Sequence, residues 1–460
     1  MRKLLIALFL LSLLALAAAP WLLSKHERVD EELKIISPHW DGIRHEFGAG
    51  FEKHYFEKTG RRIHVEWLDI GATGEIKKYL NERFGQIRPD EGVGADILFG
   101  GGMDMLPGMA DANFFEAYTP PAEIFKDIPD SLNGQPLRDP KNRFHAACLS
   151  TFGIVYNTEV LKRARLPVPQ TWEDLARPEF QGWVTCGNPV QSGAVHATLE
   201  VILQGQGWEK GCNTITRLCS NVRAFNEGGS SVPRDVSLGQ AAAGPCIDFY
   251  ASAPVRRQGA THLQLVIPAA EAVATPDCIS VLRSPVNHAA ALAFMEFVLS
   301  EKGQRLWYQS RNEPGGPEKY DLERLPVMPR IYEMGLPTHI VINPFKQKAT
   351  FRYDSKKAGE RWATMDDLWR STLIEVLDDL WNARRAIIEN NRESDLGAEL
   401  GRAAMSEDDL LTIARKRMPA DARNALRNRW SAWARERYKQ FENAARTKGP
   451  VPAYAPAPKE

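Results

Sequence analysis

The stretch from Lys34 to Leu80 constrains the fold most. A short apolar run, Ile35-Ile36, stops at Ser37-Pro38-His39-Trp40. An amphipathic segment follows, with Ile43, Phe47, Phe51 and Phe56 at roughly helical spacing, and Thr59-Gly60 closes it, since glycine best tolerates the left-handed position after a helix. A second strand, Ile63 to Leu68, alternates Ile63, Val65 and Trp67 with His64 and Glu66, then runs through Gly71-Ala72-Thr73-Gly74-Glu75 into a helix from Ile76. Strand, helix, strand and helix joined by short glycine-bearing loops predict a parallel sheet flanked by helices. Small ligands of such sheets sit at the carboxyl ends of the strands, where loops meet helix N-termini.

The chain has 460 residues, enough for two or three domains, and 58 basic residues balance 58 acidic ones. That balance argues against nucleic acid or a strongly charged partner. Met1-Arg2-Lys3 before an apolar run to Ala17-Ala18-Ala19 has the layout of an export signal. The run resumes through Trp21-Leu22-Leu23, so residues 1–24 read as a signal peptide or a retained membrane anchor. Either way the globular part faces outward. Six cysteines would then meet an oxidising compartment, with bridges and buried free thiols both open.

The same rhythm continues. Ala95 to Phe99 is a strand ending at Gly100-Gly101-Gly102, and Gly182 to Cys186 leads to Ser192-Gly193 and a helix. Val222 to Phe225 leads to Gly228-Gly229-Ser230-Ser231, and Pro245 to Tyr250 is a further strand carrying Asp248 and Tyr250. Asn287 to Arg305 is one amphipathic helix. Beyond Asn343, Trp362 to Asn391 and Ser406 to Lys448 are helical without strand partners, and Gly449 to Glu460 is Pro/Ala-rich and expected to be disordered.

In that order the pieces resemble the extracellular (periplasmic) solute-binding proteins of ABC importers, in the branch with ferric-ion-binding and sugar-phosphate- or phosphonate-binding members. The resemblance rests on the exported start, Phe56-Glu57-Lys58-Thr59-Gly60, Ala95-Asp96-Ile97-Leu98-Phe99 before the glycines, and Phe152 to Thr158. Its most specific piece is Ser300-Glu301-Lys302-Gly303-Gln304-Arg305-Leu306-Trp307. It covers residues 32–345. It implies an α/β fold of two lobes, type II-like, with hinge strands near Cys148 to Tyr156 and Ala272 to Leu282, plus a C-terminal helical extension. The expected division is 32–147 with 276–345 for lobe 1, 148–275 for lobe 2, 346–448 for the extension and 449–460 for the tail.

The resemblance also implies a ligand clamped between the lobes and delivered by a monomer to a membrane permease. Ferric members use a histidine, a carboxylate and two adjacent tyrosines. This chain offers His39, with Asp104 near the glycine loop, but only one phenol in Asp248-Phe249-Tyr250. A hard trivalent ion needs several anionic oxygens. A small organic anion, phosphorylated or a phosphonate, suits the loops better, because helix-start amides beside hydroxyls hold such groups. The expected contacts are His39, Trp40, Thr73, Gly74, Gly101, Gly102, Ser192, Gly193, Ser230, Ser231, Asp248 and Tyr250. No catalytic residue, metal or cofactor is expected. Ferric or other metal binding is the runner-up, a membrane-anchored sensor or regulator another reading, and a hydrolase a fourth, although no nucleophile-elbow, Walker or His-Glu-X-X-His motif occurs.

Overall fold

The computed structural model describes residues 29–459 except 89, 103–104, 260, 348–349 and 417, so the signal or anchor expected at 1–24 lies outside the described residues. Among those described, no helix is long and apolar enough to cross a membrane. The first block is β1 (Glu31–Ile36), α1 (Asp41–Thr59), β2 (Ile63–Leu68), α2 (Thr73–Gln86) and β3 (Ile97–Gly102). A long strand, β4 (His145–Asn157), leads to β5 (Val184–Gly187), α3 (Gly193–Gln206), α4 (Trp208–Ser220) and β6 (Val222–Asn226). The second block continues with α5 (Ser231–Ser237), β7 (Ala243–Ile247), α6 (Asp248–Gln258) and β8 (Leu263–Val266). The chain returns through β9 (Ala274–Val281) to α7 (His288–Leu299), α8 (Glu301–Tyr308) and β10 (Leu325–Pro326). Four longer helices follow: α9 (Ser355–Trp369), α10 (Leu377–Glu389), α11 (Glu407–Arg415) and α12 (Ala420–Thr447).

The strands run in the order β2-β1-β3-β9-β4-β7-β5-β6, with β8 and β10 also paired to β4. β1 is parallel to β2 and β3, as β5 is to β6 and β7. This is the α/β, two-lobed arrangement with hinge strands that the sequence suggests. β4 belongs to both lobes: its first half pairs with β9 and its second with β7 and β8. Every residue of β4 is buried, which explains a run too apolar to alternate.

One apolar core joins β1–β3, α1, α7 and α8 around Phe47, Phe51, Phe99, Phe294 and Trp307. A second joins lobe 2 to the C-terminal helices, from Trp172 and Leu199 to Leu380, Trp430 and Phe441, and a smaller third lies around Val155, Val232 and Leu263. The extension is therefore no separate body. It shares its core with lobe 2, and the chain crosses to it from the first core between Phe345 and Phe351.

Four local expectations need correction. The three glycines do not form a loop but continue β3, where Gly100 and Gly101 adopt φ of +117° and +119°, conformations open to glycine. Asp248 to Tyr250 is not the end of a strand but the first turn of α6. Asn287 to Arg305 is two helices, because Ser300 takes an extended backbone and caps α8 through the Gly303 amide. The tail after Gly449 is packed, not disordered. Trp430 and Trp433 donate their indole N–H groups to the Pro458 and Ala455 carbonyls at 2.7 and 3.1 Å, and Ala457 is buried. Tyr454 adds a hydrogen bond to the Ala403 carbonyl at 3.2 Å and Lys459 an ion pair with Asp409 at 2.7 Å, long-range anchors that local composition does not reveal.

Candidate functional site

A cavity with an empty volume of about 1020 Å³, including solvent at its mouth, lies where the two larger cores meet. Its floor is the hinge: Ser150 and Phe152 of β4, Thr275 to Asp277 of β9, and Arg324 just before β10. Arg324 is placed by its amide, which donates to the Trp307 carbonyl at 2.9 Å, and by the pairing of β10 with Leu149 and Cys148.

The Arg324 side chain is only 1% exposed. It lies 2.8 Å from Asp277 Oδ2, donates to Ser150 Oγ at 2.7 Å, and sits 4.2 Å from the Phe249 ring centre. Among the described residues its Nε has no hydrogen-bond partner. Asp277 also accepts from the Gly101 amide at 2.6 Å and contacts His39 Nε2 at 3.1 Å. Burial alone would raise the Asp277 carboxyl, yet Arg324, His39 and the Gly101 amide together hold it well below the usual range. Burial pushes His39 down, against the pull of Asp277. At neutral pH the floor thus carries one carboxylate, one guanidinium and a neutral imidazole.

His39 is set by the turn after β1. Its amide donates to Ser37 Oγ at 3.2 Å, Nδ1 lies 3.0 Å from the same hydroxyl, and the ring meets Phe99 edge-on at 4.7 Å. Trp40, at the start of α1, is half exposed and lies edge-on to Tyr320.

Two helix starts face each other across the mouth. Thr73 begins α2 and Gly193 begins α3, and a β-carbon on Gly193 would stand 3.4 Å from Thr73 Cβ and Oγ1. Ser192 caps α3, accepting from the Val195 amide at 3.5 Å and the Gly229 amide at 3.3 Å. Both termini carry partial positive charge.

Of the twelve expected contacts, His39, Trp40, Thr73, Gly101, Gly102, Ser192, Gly193 and Tyr250 line the cavity. Gly74 and Ser230 line an adjoining outer chamber. Ser231 lines neither, and its hydroxyl donates to the Gly228 carbonyl at 2.5 Å. Asp248 lies beneath the cavity, accepting from Thr151 N and Oγ1 at 2.9 and 3.1 Å and from the Phe249 amide at 2.8 Å. Burial raises its carboxyl to about 6. Those bonds make it a pin of the hinge strand, not a ligand contact. Asp104 lies outside the described residues.

Sequence reasoning missed Asp277, Arg324, Tyr353 and Trp362. A lone carboxylate inside the apolar run Ala274 to Val281 was the one usable signal. Arg324 has none locally, and Tyr353 and Trp362 come from a region with no sheet to place it. The six cysteines form no bridges; five are buried and Cys212 is half-buried.

The comparisons agree with this geometry. Residues 94–326, just over half of the chain, match the family described as bacterial extracellular solute-binding protein. The chain belongs to that family. Among curated relatives it is 26% identical over 228 residues to a phosphoglycerate transport regulatory protein of Salmonella typhimurium, which covers 49% of this chain and 56% of that protein. An uncharacterised Haemophilus influenzae protein is 25% identical over 217 residues, 47% of this chain and 61% of the other. The chain thus spans a little over half the length of these relatives. A solved periplasmic binding protein from Actinobacillus pleuropneumoniae, with fructose-6-phosphate bound, matches with a TM-score of 0.60 and 18% identity, over 75% of this chain and 99% of the other. Iron-bound HitA from Pseudomonas aeruginosa matches at 0.55 and 16%, over 74% and 98%. The fold is that of these solved periplasmic binding proteins.

Proposed function

We propose that the protein is the monomeric receptor of an ABC importer, holding a small organic anion, phosphorylated or a phosphonate, between lobes 32–147 plus 276–345 and 148–275. It hands that solute to a permease in the membrane on the outer face of the cell. The observation that carries this reading is Arg324: a buried guanidinium on the floor of a cavity whose mouth is framed by two helix N-termini. A phosphoryl group there would meet a cation and the Ser150 hydroxyl, while the α2 and α3 termini at the mouth add positive potential. β4 and β9 are the two crossings about which the lobes can hinge. The names of the relatives point the same way, one a phosphoglycerate transport regulatory protein and another a fructose-6-phosphate complex.

Ferric iron is the second reading, because His39, Asp277, Tyr250 and Tyr353 all line the cavity. Against it, Asp277 is already held by Arg324 at 2.8 Å, and a trivalent ion would have to displace that cation. The word regulatory in a relative's name also keeps a ligand-sensing role in view. Thermal-shift screening separates the first two, since a ligand of the folded state stabilises it by RT ln(1 + [L]/Kd). Fructose 6-phosphate and 3-phosphoglycerate should raise Tm. A rise with ferric ion alone, accompanied by tyrosinate colour, would overturn the anion reading.

A further inference from the structure

The C-terminal helices reach the cavity itself. Tyr353, just before α9, and Trp362, within it, line the cavity beside Phe249 and Tyr250. Trp362 also lines the outer chamber and remains half-buried, unlike the core tryptophans Trp172 and Trp430. It is held firmly. Its ring lies flat on His196 at 3.5 Å and 6°, and His196 Nδ1 is fixed by Asp366 at 2.8 Å. The preceding residue, Arg361, is locked to Glu200 of α3.

We propose that the helical extension is a working wall of the binding cleft, with Trp362 and Tyr353 selecting the flat or apolar body of the organic anion whose charged end is held at Arg324. This deepens the receptor reading and rests on it. A bare oxyanion gains little from aromatic side chains, whereas the apolar face of an organic body packs on them. An indole already locked by stacking loses little freedom when a ligand binds, so its contact converts efficiently into affinity. The wall lies beyond residue 326, where the family match ends.

The test is calorimetry on the full-length chain with phenyl phosphate, glycerol 3-phosphate and inorganic phosphate. The unaltered protein should bind phenyl phosphate about three- to tenfold more tightly than glycerol 3-phosphate. Trp362→Ala should erase that preference, costing phenyl phosphate more affinity than inorganic phosphate, and Trp362→Phe should restore most of it. Should Trp362→Ala fail to fold, Trp362→Leu, which keeps apolar volume but no ring face, decides the same point. Equal binding of the two organic phosphates, or a preference that survives in Trp362→Leu, overturns the wall and leaves the receptor reading standing. Binding of none of the three by the unaltered protein, together with no rise in Tm from fructose 6-phosphate or 3-phosphoglycerate, overturns the receptor reading itself.

Discussion

Two buried arginines mark two different regions. Arg361, at the seam between α9 and α3, is 1% exposed and has every nitrogen engaged: Nε and Nη2 on Glu200, Nη1 on Glu407 at 2.5 Å. Arg324, on the cleft floor, is equally buried but leaves Nε without a partner among the described residues, and its carboxylate partner is 19% exposed toward the cavity. The first arrangement is complete without any ligand. The second borders a cavity lined from both lobes, and its ion pair with Asp277 is part of that lining. Equal burial thus accompanies opposite roles, and what separates them is whether each donor is satisfied from within the protein.

Removing each arginine is the most direct way to break that contrast. Arg361→Ala leaves Glu200, which is fully buried, without its cation. It should cost about 3–5 kcal/mol of stability in urea unfolding. A loss below about 1 kcal/mol would show that the seam is not the closed structural unit described. Arg324→Ala should be gentler on stability, because Asp277 keeps His39 and the Gly101 amide. It should weaken binding of 3-phosphoglycerate or fructose 6-phosphate by about 10- to 100-fold, the effect of one charge-assisted contact of about 1.5–3 kcal/mol. Unchanged affinity by calorimetry would make Arg324 as structural as Arg361.

The carboxylates Asp277, on the floor, and Asp248, beneath it, sharpen the comparison through pH. Asp248 titrates near 6 in the fold against an ordinary 3.8, so the native state binds the extra proton between those values. Its contribution therefore falls as pH rises from about 4 to 6 and is flat above. Asp277 has the opposite sign: its depressed carboxyl stabilises the fold above its ordinary range and loses that contribution as the solution is acidified. The gap in unfolding free energy between Asp248→Asn and the unaltered protein should grow in the variant's favour by about 2 kcal/mol from pH 4 to pH 7. A pH-independent gap would mean that Asp248 is solvated in the native state. The smallest expected effect is that of Ser192→Ala, about 1 kcal/mol from a lost helix cap. If thermal unfolding shows no change, the α3 terminus is held by its packing rather than by its cap.

Much of the site was legible because it is local. His39, Thr73, Ser192 and Gly193 sit in loops that join a strand to a helix within a few residues, and such joints announce themselves by glycine, proline and hydroxyl residues. Asp248 illustrates the limit. Its side chain is aimed by Thr151, 97 residues away, so the sequence around it reads equally as a strand end or a helix start. Arg324 and Asp277 meet only because β10 and β9 both lie on β4, and no spacing in the chain encodes that meeting.

The sequence by itself determined the alternation of strands and helices and the loops at the cleft, because period, capping and turn chemistry act over a few residues, while the two lobes were what its resemblance to solute-binding proteins implied. Tertiary structure alone decided which charge the cleft contains, and that the last helices belong to lobe 2 and lend it Tyr353 and Trp362. Those outcomes depend on which distant surfaces exclude water together, and burial of that kind is a property of the assembled fold rather than of any stretch of chain.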